Sequence, residues 1–351
     1  MAGPRKLADV FTPELFDRAV LLENTEKLGV LQSGLVVQDT LLQEYANTQA
    51  RTGTLPIDTD LANVDPDIQS DDPAASSSPL KTGIKEAQWI KNFWHKSWSS
   101  MTLARELHHS NNDPLTLITN RVSNYWDRQM QKYVANIISG IVADNMANDD
   151  DDMVHDISTD GTVTDANLPN ANNLIAGEAT MGDSIGELSM IILHSQVFTR
   201  LRQLNLIEYI RDSENNTLFP TYQGKSVVVA DVQNILVGTN GTNATYDTIL
   251  CGQGVMGMGI GAPIVPSEID REPEKGNGGG LDVLHSRMHP ILHPYGFSYD
   301  RPLTGSGSAA GVSPTPAEFA AAESWDRVYD RQHIPLVVVR SNNSLVESTG
   351  S

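Results

Sequence analysis

DPLTLITNRVSNYWDRQMQKYVANIISGIVADN, residues 113 to 145, reads as one uninterrupted helix in a chain otherwise punctuated by Gly, Pro, Asn and Asp. Asp113 suits an N-cap and Pro114 the first helical position, because the cap oxygen satisfies free N–H groups and proline has none to lose. From there Leu115, Ile118, Val122, Tyr125, Trp126, Tyr133, Val134, Ile137, Ile138 and Ile141 recur at three- and four-residue steps on one broad face. Arg121, Asp127, Arg128 and Lys132 fall mostly elsewhere. At about 1.5 Å per residue such a helix spans about 45 Å, well beyond the usual globular length. The pattern predicts a rigid spine on which the rest of the chain is built.

The composition bounds what that spine can belong to. A chain of 351 residues can build a large core and is expected to hold two subdomains. Its 44 acidic and 24 basic residues leave a net charge of −20, which opposes non-specific binding to nucleic acid or anionic membrane. The single cysteine, Cys251, excludes an intramolecular disulfide and a cysteine-built metal cage, and fits a reducing compartment. No apolar run approaches about 18 residues, so neither a membrane span nor a signal peptide is expected.

N-terminal to the spine, Thr12 and Pro13 open an amphipathic helix with Leu15, Phe16, Ala19, Leu22 and Leu28 along one face. Gly34 to Val37 reads as a brief strand, and Leu41 to Gln49 as a strand or short helix. Arg51 to Lys85 differs in kind, with four prolines, six aspartates and few large apolar groups. It cannot build its own core. It is either a disordered linker or a two-stranded loop ordered on a neighbouring subunit, and Leu55, Pro56, Ile57 and Ile84 favour a loop that returns. Trp89, Trp94 and Trp98 then alternate with Lys91, Lys96 and Arg105. Such a pattern can stack single-stranded nucleic acid, but the net charge favours core or interface packing.

Beyond the spine, the run Asp149 to Asp152 reads as a solvated turn and a subdomain boundary. Gly186 to Leu204 reads as a second helix. Thr217 to Ala230 reads as a hairpin turning near Gln223 and Gly224, and Asn234 to Val237 and Tyr246 to Leu250 as strands about an Asn240-Gly241 turn. Val255 to Ile264 alternates Gly with Met and Ile. Gly276 to Gly280 is a turn before strands Leu281 to Met288 and Ile291 to Tyr299. Pro316 to Tyr329 reads as a helix and Pro335 to Arg340 as a closing strand. The class is α+β.

Several groupings that could carry chemistry fail on local grounds. Gly252, Gly254 and Gly257 match the spacing of a dinucleotide loop, but no helix N-terminus follows to hold a pyrophosphate. Gly224, Lys225 and Ser226 end like a phosphate loop, yet Phe219 stands where its first glycine belongs. His285, His289 and His293 would align as metal ligands on a helix, which Pro290 and Pro294 forbid. Asp156, Asp160 and Gly161 suggest a calcium loop, but Ser158 is a weak ligand and Asn167 replaces the closing Glu. His194 and Ser195 are neighbours, which point apart on a helix, so they form no dyad. No catalytic residue, cofactor or metal is expected.

Taken in order, the pieces resemble the major capsid proteins of tailed phages, whose fold is shared with encapsulins and the herpesvirus capsid floor. Arg51 to Lys85 resembles the family's extended loop, and Asp113, Pro114, Tyr125, Trp126 and Ile138 to Ile141 its spine. His194, Ser195, Leu201, Arg202, Leu204, Leu206 and Ile207, with Tyr222, Gly224, Lys225 and Val228, resemble its axial-domain helix and hairpin. Leu292 to Gly296 and Trp325 to Val328 fit the same branch. The resemblance implies an N-terminal arm (1–50), an extended loop (51–86), a peripheral domain with the spine (87–150), an axial domain with a central sheet (151–265), and returning peripheral strands with a closing axial segment (266–345). It implies a shell subunit that forms hexamers and pentamers in the virion capsid, assembles in the host cytoplasm and encloses double-stranded DNA without reading its sequence. A separate scaffolding protein, a portal and a decoration protein are the partners it implies, with no membrane. Leu22, Leu55, Pro56, Ile57, Ile84, Trp89, Trp94, Trp98 and Tyr125 are the residues expected at contacts between subunits. An encapsulin-like compartment is the alternative, which a cargo enzyme as genomic neighbour would favour over terminase and portal.

Overall fold

The computed structural model describes residues 29–102, 114–211, 217–231, 238–240, 243–302 and 312–342, less 60, 62, 70, 73–75 and 77–78. The arm helix with Leu22, the cap residue Asp113, Asn234 to Val237 and Gly241 lie outside these residues.

The chain enters through α1 (Gly29–Gln32), β1 (Val36–Gln38) and α2 (Thr40–Asn47), the last capped by Asp39, whose carboxylate accepts from the Leu41 amide. Strands β2 (Thr52–Asp58) and β3 (Ile84–Ile90) pair antiparallel, and β4 (Trp94–Met101) follows. The spine is α3 (Pro114–Asn148), 35 residues without a break. After it come β5 (Val154–Asp156), α4 (Ala171–Glu178), β6 (Met190–Leu193), α5 (Ser195–Gln203), β7 (Glu208–Arg211), β8 (Thr217–Tyr222), β9 (Lys225–Val229), β10 (Gly238–Asn240) and β11 (Asn243–Cys251). The remaining elements are β12 (Met256–Gly261), β13 (Ser267–Glu272), β14 (Leu281–Pro294), β15 (Phe297–Tyr299), α6 (Pro316–Phe319), β16 (Trp325–Arg327) and β17 (Leu336–Asn342).

Two sheets flank the spine. One has the order β1-β12-β14-β13 with β4 also on β14, and the other runs β5-β17-β11-β6-β9-β8-β7 with β10 on β11. The central strands β6, β11 and β17 of the second sheet are buried on both faces. Met190, Ile192, Ile249, Cys251, Leu336 and Val338 point into a core shared with Trp126, Val134, Ile137, Ile138 and Ile141 of the spine. Ile191, Leu193, Leu250, Val337 and Val339 point the other way, against Val197 and Leu201 of α5.

That double burial corrects the reading of Gly186 to Leu204 as one helix. Met190 to Leu193 is a strand, apolar at every position because both faces are covered, so its run carries no alternation. The helix starts only at Ser195, where the His194 ring accepts from the Gln196 amide. Leu281 to Met288 and Ile291 to Tyr299 are likewise not two strands of the predicted extent. β14 runs through Pro290, pairing with β4 and β13 over its first part and with β12 over its second. Pro316 to Tyr329 is helical only to Phe319, after which Trp325–Arg327 pairs with β15. The open reading of Leu41 to Gln49 resolves as the helix α2.

Candidate assembly surfaces

The β2–β3 ribbon is tied to the body at its base and free of it further out. Its register runs from Thr52 opposite Ile90 to Asp58 opposite Ile84, and the last cross-links are Thr59 N–H and Oγ1 to the Gly83 carbonyl. At the base the Trp89 indole is buried, stacks on Tyr45 with centroids 5.3 Å apart, and packs with Leu42, Ala46 and Ile291. Gly53 is required there, since a Cβ would stand 2.6 Å from the indole. Lys85 Nζ donates to the Val328 carbonyl at 2.8 Å and Lys91 Nζ to that of Thr48 at 2.8 Å. Beyond Asp58 the described residues have no regular structure, and Leu61, Val64, Ile68, Leu80 and Ile84 are 61–95% exposed. Leu55 and Ile57 are half-buried along the ribbon and Pro56 is exposed.

The tryptophans separate by role. Trp94 stacks on Trp126 and lies 4.3 Å from the Tyr133 ring, and the Trp126 indole donates to Ser286 Oγ at 2.9 Å. Burial pushes the Tyr133 hydroxyl up to about 12. Trp89 and Trp94 are therefore buried within their own chain, where they pack on Tyr45 and on Trp126 and Tyr133. Trp98 and Tyr125 meet edge to face at 5.2 Å and stay half-buried.

The glycines of β12 have a packing role that the sequence reading missed. Gly257, Gly259 and Gly261 share one face of the strand, and α2 lies across it so closely that a methyl at any of the three would overlap Leu42 or the Ala46 carbonyl. Helix α2 also completes the strand's hydrogen bonding. Gln43 Nε2 donates to the Ile260 carbonyl, Gln43 Oε1 accepts from the Ile260 amide at 2.9 Å, and Asn47 Oδ1 accepts from the Ala262 amide at 3.0 Å. Glycine at alternate positions of a strand was the available signal, since it marks close approach of another backbone.

The other groupings are structural too. The Gln223-Gly224 turn has positive φ at both residues, and Lys225 pairs with the buried Glu178 at 3.1 Å. Asp156 accepts from the Ser158 amide and Asn167 closes its own turn, so both are engaged. His285 lies on a strand with its Nδ1 3.1 Å from His95 Nε2, while His293 is buried, and burial pushes its imidazole down to about 4. Among the described residues no three His, Cys, Asp or Glu side chains are placed to hold a metal ion. Cys251 is fully buried, and burial pushes its thiol up, away from a nucleophilic thiolate.

Asp149 to Asp152 is more than a solvated turn. Asp152 takes Arg327 Nη1 through both oxygens at 2.7 and 2.9 Å, Asp149 stands 3.3 Å from Arg327 Nη2, and the Asp152 carbonyl accepts from Arg331. Asn145, the predicted end of the spine, accepts from the Met153 amide and donates to Asp152. The aspartate run thus locks the end of the spine to the returning chain. Asp150 and Asp151, at positive φ, make the turn itself.

A long buried spine, two sheets and an outstretched ribbon describe a building unit, and a family model confirms which one: Major capsid protein 13-like matches residues 47–333. The chain belongs to that capsid protein family. The major capsid protein of Bacillus phage SPP1 is 31% identical over 334 residues, 95% of this chain and 96% of that one. Among solved structures, the capsid of Ralstonia phage GP4 aligns over 97% of this chain and 100% of its own with a TM-score of 0.57 at 9% identity. That of Mycobacterium phage Cain covers 96% and 98% with a TM-score of 0.50 at 10% identity. These two share the fold. As a major capsid protein the chain is a structural component of the virion shell and no enzyme.

Proposed function

We propose that copies of this capsid protein close into an icosahedral shell of hexamers and pentamers around the double-stranded DNA of a tailed phage. The observation that carries this reading is the ribbon, whose Val64, Ile68 and Leu80 beyond Asp58 are 61–95% exposed in a stretch rich in aspartate. Obligate contacts of this kind commonly bury above about 2,000 Å². Leu55, Pro56, Ile57, Ile84, Trp98 and Tyr125 remain the contact candidates among the described residues, and Leu22 of the arm joins them on sequence grounds. The division proposed is arm 1–50, extended loop 51–86, peripheral domain 87–150, axial domain 151–265, and returning strands 266–345. A separate scaffolding protein, a portal and a decoration protein complete the set of partners. A net charge of −20 suits a wall around DNA packed by a motor, since the wall does not read sequence.

Electron microscopy and light scattering of the protein expressed with its scaffold test this directly. Closed particles of megadalton mass are expected. A compact monomer under every assembly condition would overturn the proposal.

A further inference from the structure

The face of the first sheet turned away from the spine carries a pair of histidines with no part in the core. Trp94 stacks on Trp126 and Ser286 accepts from the Trp126 indole, so these positions of β4 and β14 face the spine. His95, His285 and Arg287 alternate with them and stand on the opposite face. His95 is exposed and His285 half-buried. His95 Nε2 lies 3.1 Å from His285 Nδ1, although the two are 190 residues apart in the chain. These nitrogens are much closer than the ring centroids, which are 5.3 Å apart, so the rings turn these edges towards each other. The strands are held in register over eight pairs, from Leu281 opposite Met101 to Met288 opposite Trp94, which fixes both backbones.

Two imidazole nitrogens at this separation match the bite of a metal ion. With metal–nitrogen bonds of about 2.0–2.1 Å, they stand about 3.3 Å apart on a tetrahedral ion and about 2.9 Å apart at neighbouring corners of a square plane. We infer that His95 and His285 form a two-point clip for an imidazole-preferring divalent cation, Zn²⁺ or Cu²⁺, with water in the remaining positions. Two ligands are fewer than the three that hold a catalytic zinc, so the site is an open one at the surface. Without the ion the neutral pair shares one proton, one ring donating through its N–H to the lone pair of the other. When the ion arrives, that proton passes to the second nitrogen of its own ring and both lone pairs meet the metal, with no proton gained or lost overall. Glu268 is the register partner of His285 and Arg287 that of His95. Glu268 also accepts from Arg287, which offsets the guanidinium's repulsion of an incoming cation. His289 and His293 take no part, since one packs on Phe93 and the other is buried. Once bound, the ion adds a tie between β4 and β14.

Zinc titration of the full-length subunit against a chromogenic chelator at neutral pH reads the site. Of nine histidines seven lie outside the pair and can add background, so the informative quantity is the difference from His95→Gln, His285→Gln and the double variant. Each variant is expected to lack the same one equivalent of zinc, or to hold it at least about tenfold more weakly, the loss that even a supporting partner of a ligand causes. Zinc should raise the melting temperature of the wild type more than that of the variants. Excess Mg²⁺, which prefers oxygen ligands, should leave the binding unchanged. Should a variant not fold, zinc-dependent protection of the His95 and His285 rings from diethyl pyrocarbonate gives the same answer in the wild-type chain. Wild-type zinc binding in all three variants would overturn the inference and leave the pair as a hydrogen bond only. Loss on replacing one histidine but not the other would overturn it too, as would displacement by Mg²⁺ or rings that zinc leaves unprotected.

Discussion

A single methyl group is enough to test the packing of this chain. At Gly259 it would overlap the backbone of Leu42, and at Gly140 in the spine it would overlap the Phe319 carbonyl, beside which the Trp325 indole donates to the same oxygen at 2.8 Å. Gly259→Ala and Gly140→Ala should each destabilise the subunit by about 1–3 kcal/mol, or more where the backbone cannot yield, read as a lowered denaturant midpoint at unchanged slope. His293 gives a pH signature. Its imidazole is depressed to about 4 by burial, with the Asp39 charge acting the other way, whereas in the unfolded chain it titrates near about 6.5. Between those values the unfolded state holds a proton that the folded state lacks, so stability is complete above about pH 6.5 and falls on acidification, by up to about 3 kcal/mol at pH 4. Burial also lowers His194 and His289, with the same sign, and raises Asp144 and Asp149, with the opposite sign. The informative quantity is therefore the difference between wild type and His293→Gln across pH 4–7. Parallel melting curves for the two would refute the assignment. Little of this was legible in the sequence, because a glycine does not say which backbone approaches it and a histidine does not say how deep it lies.

Elements were legible where one periodicity ruled alone. The spine was, since its apolar stripe persists for many turns and nothing in its pattern competes, and so was the Gln223-Gly224 hairpin, whose turn chemistry is local. Met190 to Leu193 was not. A strand covered on both faces and one turn of a buried helix look alike over four residues, and only the His194 ring over the Gln196 amide marks where the helix begins. The Arg327 pairs with Asp149 and Asp152 were equally silent, being 175 residues and more apart. At the ribbon, the structure sharpens which residues can be removed. Gly53 and Trp89 belong to the base, so replacing Asp60 to Lys81 by a short Gly/Ser link, with the Thr59–Gly83 bonds kept, should leave a cooperatively melting subunit that forms no shells. Normal shells from this variant would show that the loop is no assembly element, and an unfolded chain would show that it belongs to the core.

On the scale of the whole molecule, the sheet that contains β6, β11 and β17 is covered by the spine on one face and by α5 on the other. Neither covering layer can leave without uncovering strands that the other also packs against. The free subunit should thus melt in one transition, with calorimetric and van't Hoff enthalpies in agreement, in spite of the proposed division into peripheral and axial parts. Two resolved transitions would show that the parts fold separately. The fold class was readable from the order of the elements, but this shared layer was not, because no local pattern states what covers the second face of a strand.

The seating of α2 on β12 has a consequence for the life of the protein before it is part of anything. A bare strand margin on a free subunit is a template for indiscriminate stacking of chains. β1 masks that margin only as far as Met258. From there the carboxamides of Gln43 and Asn47 occupy the donors and acceptor of Ile260 and Ala262 that an intruding strand would need. Two side chains thus close this stretch of the margin to a further strand.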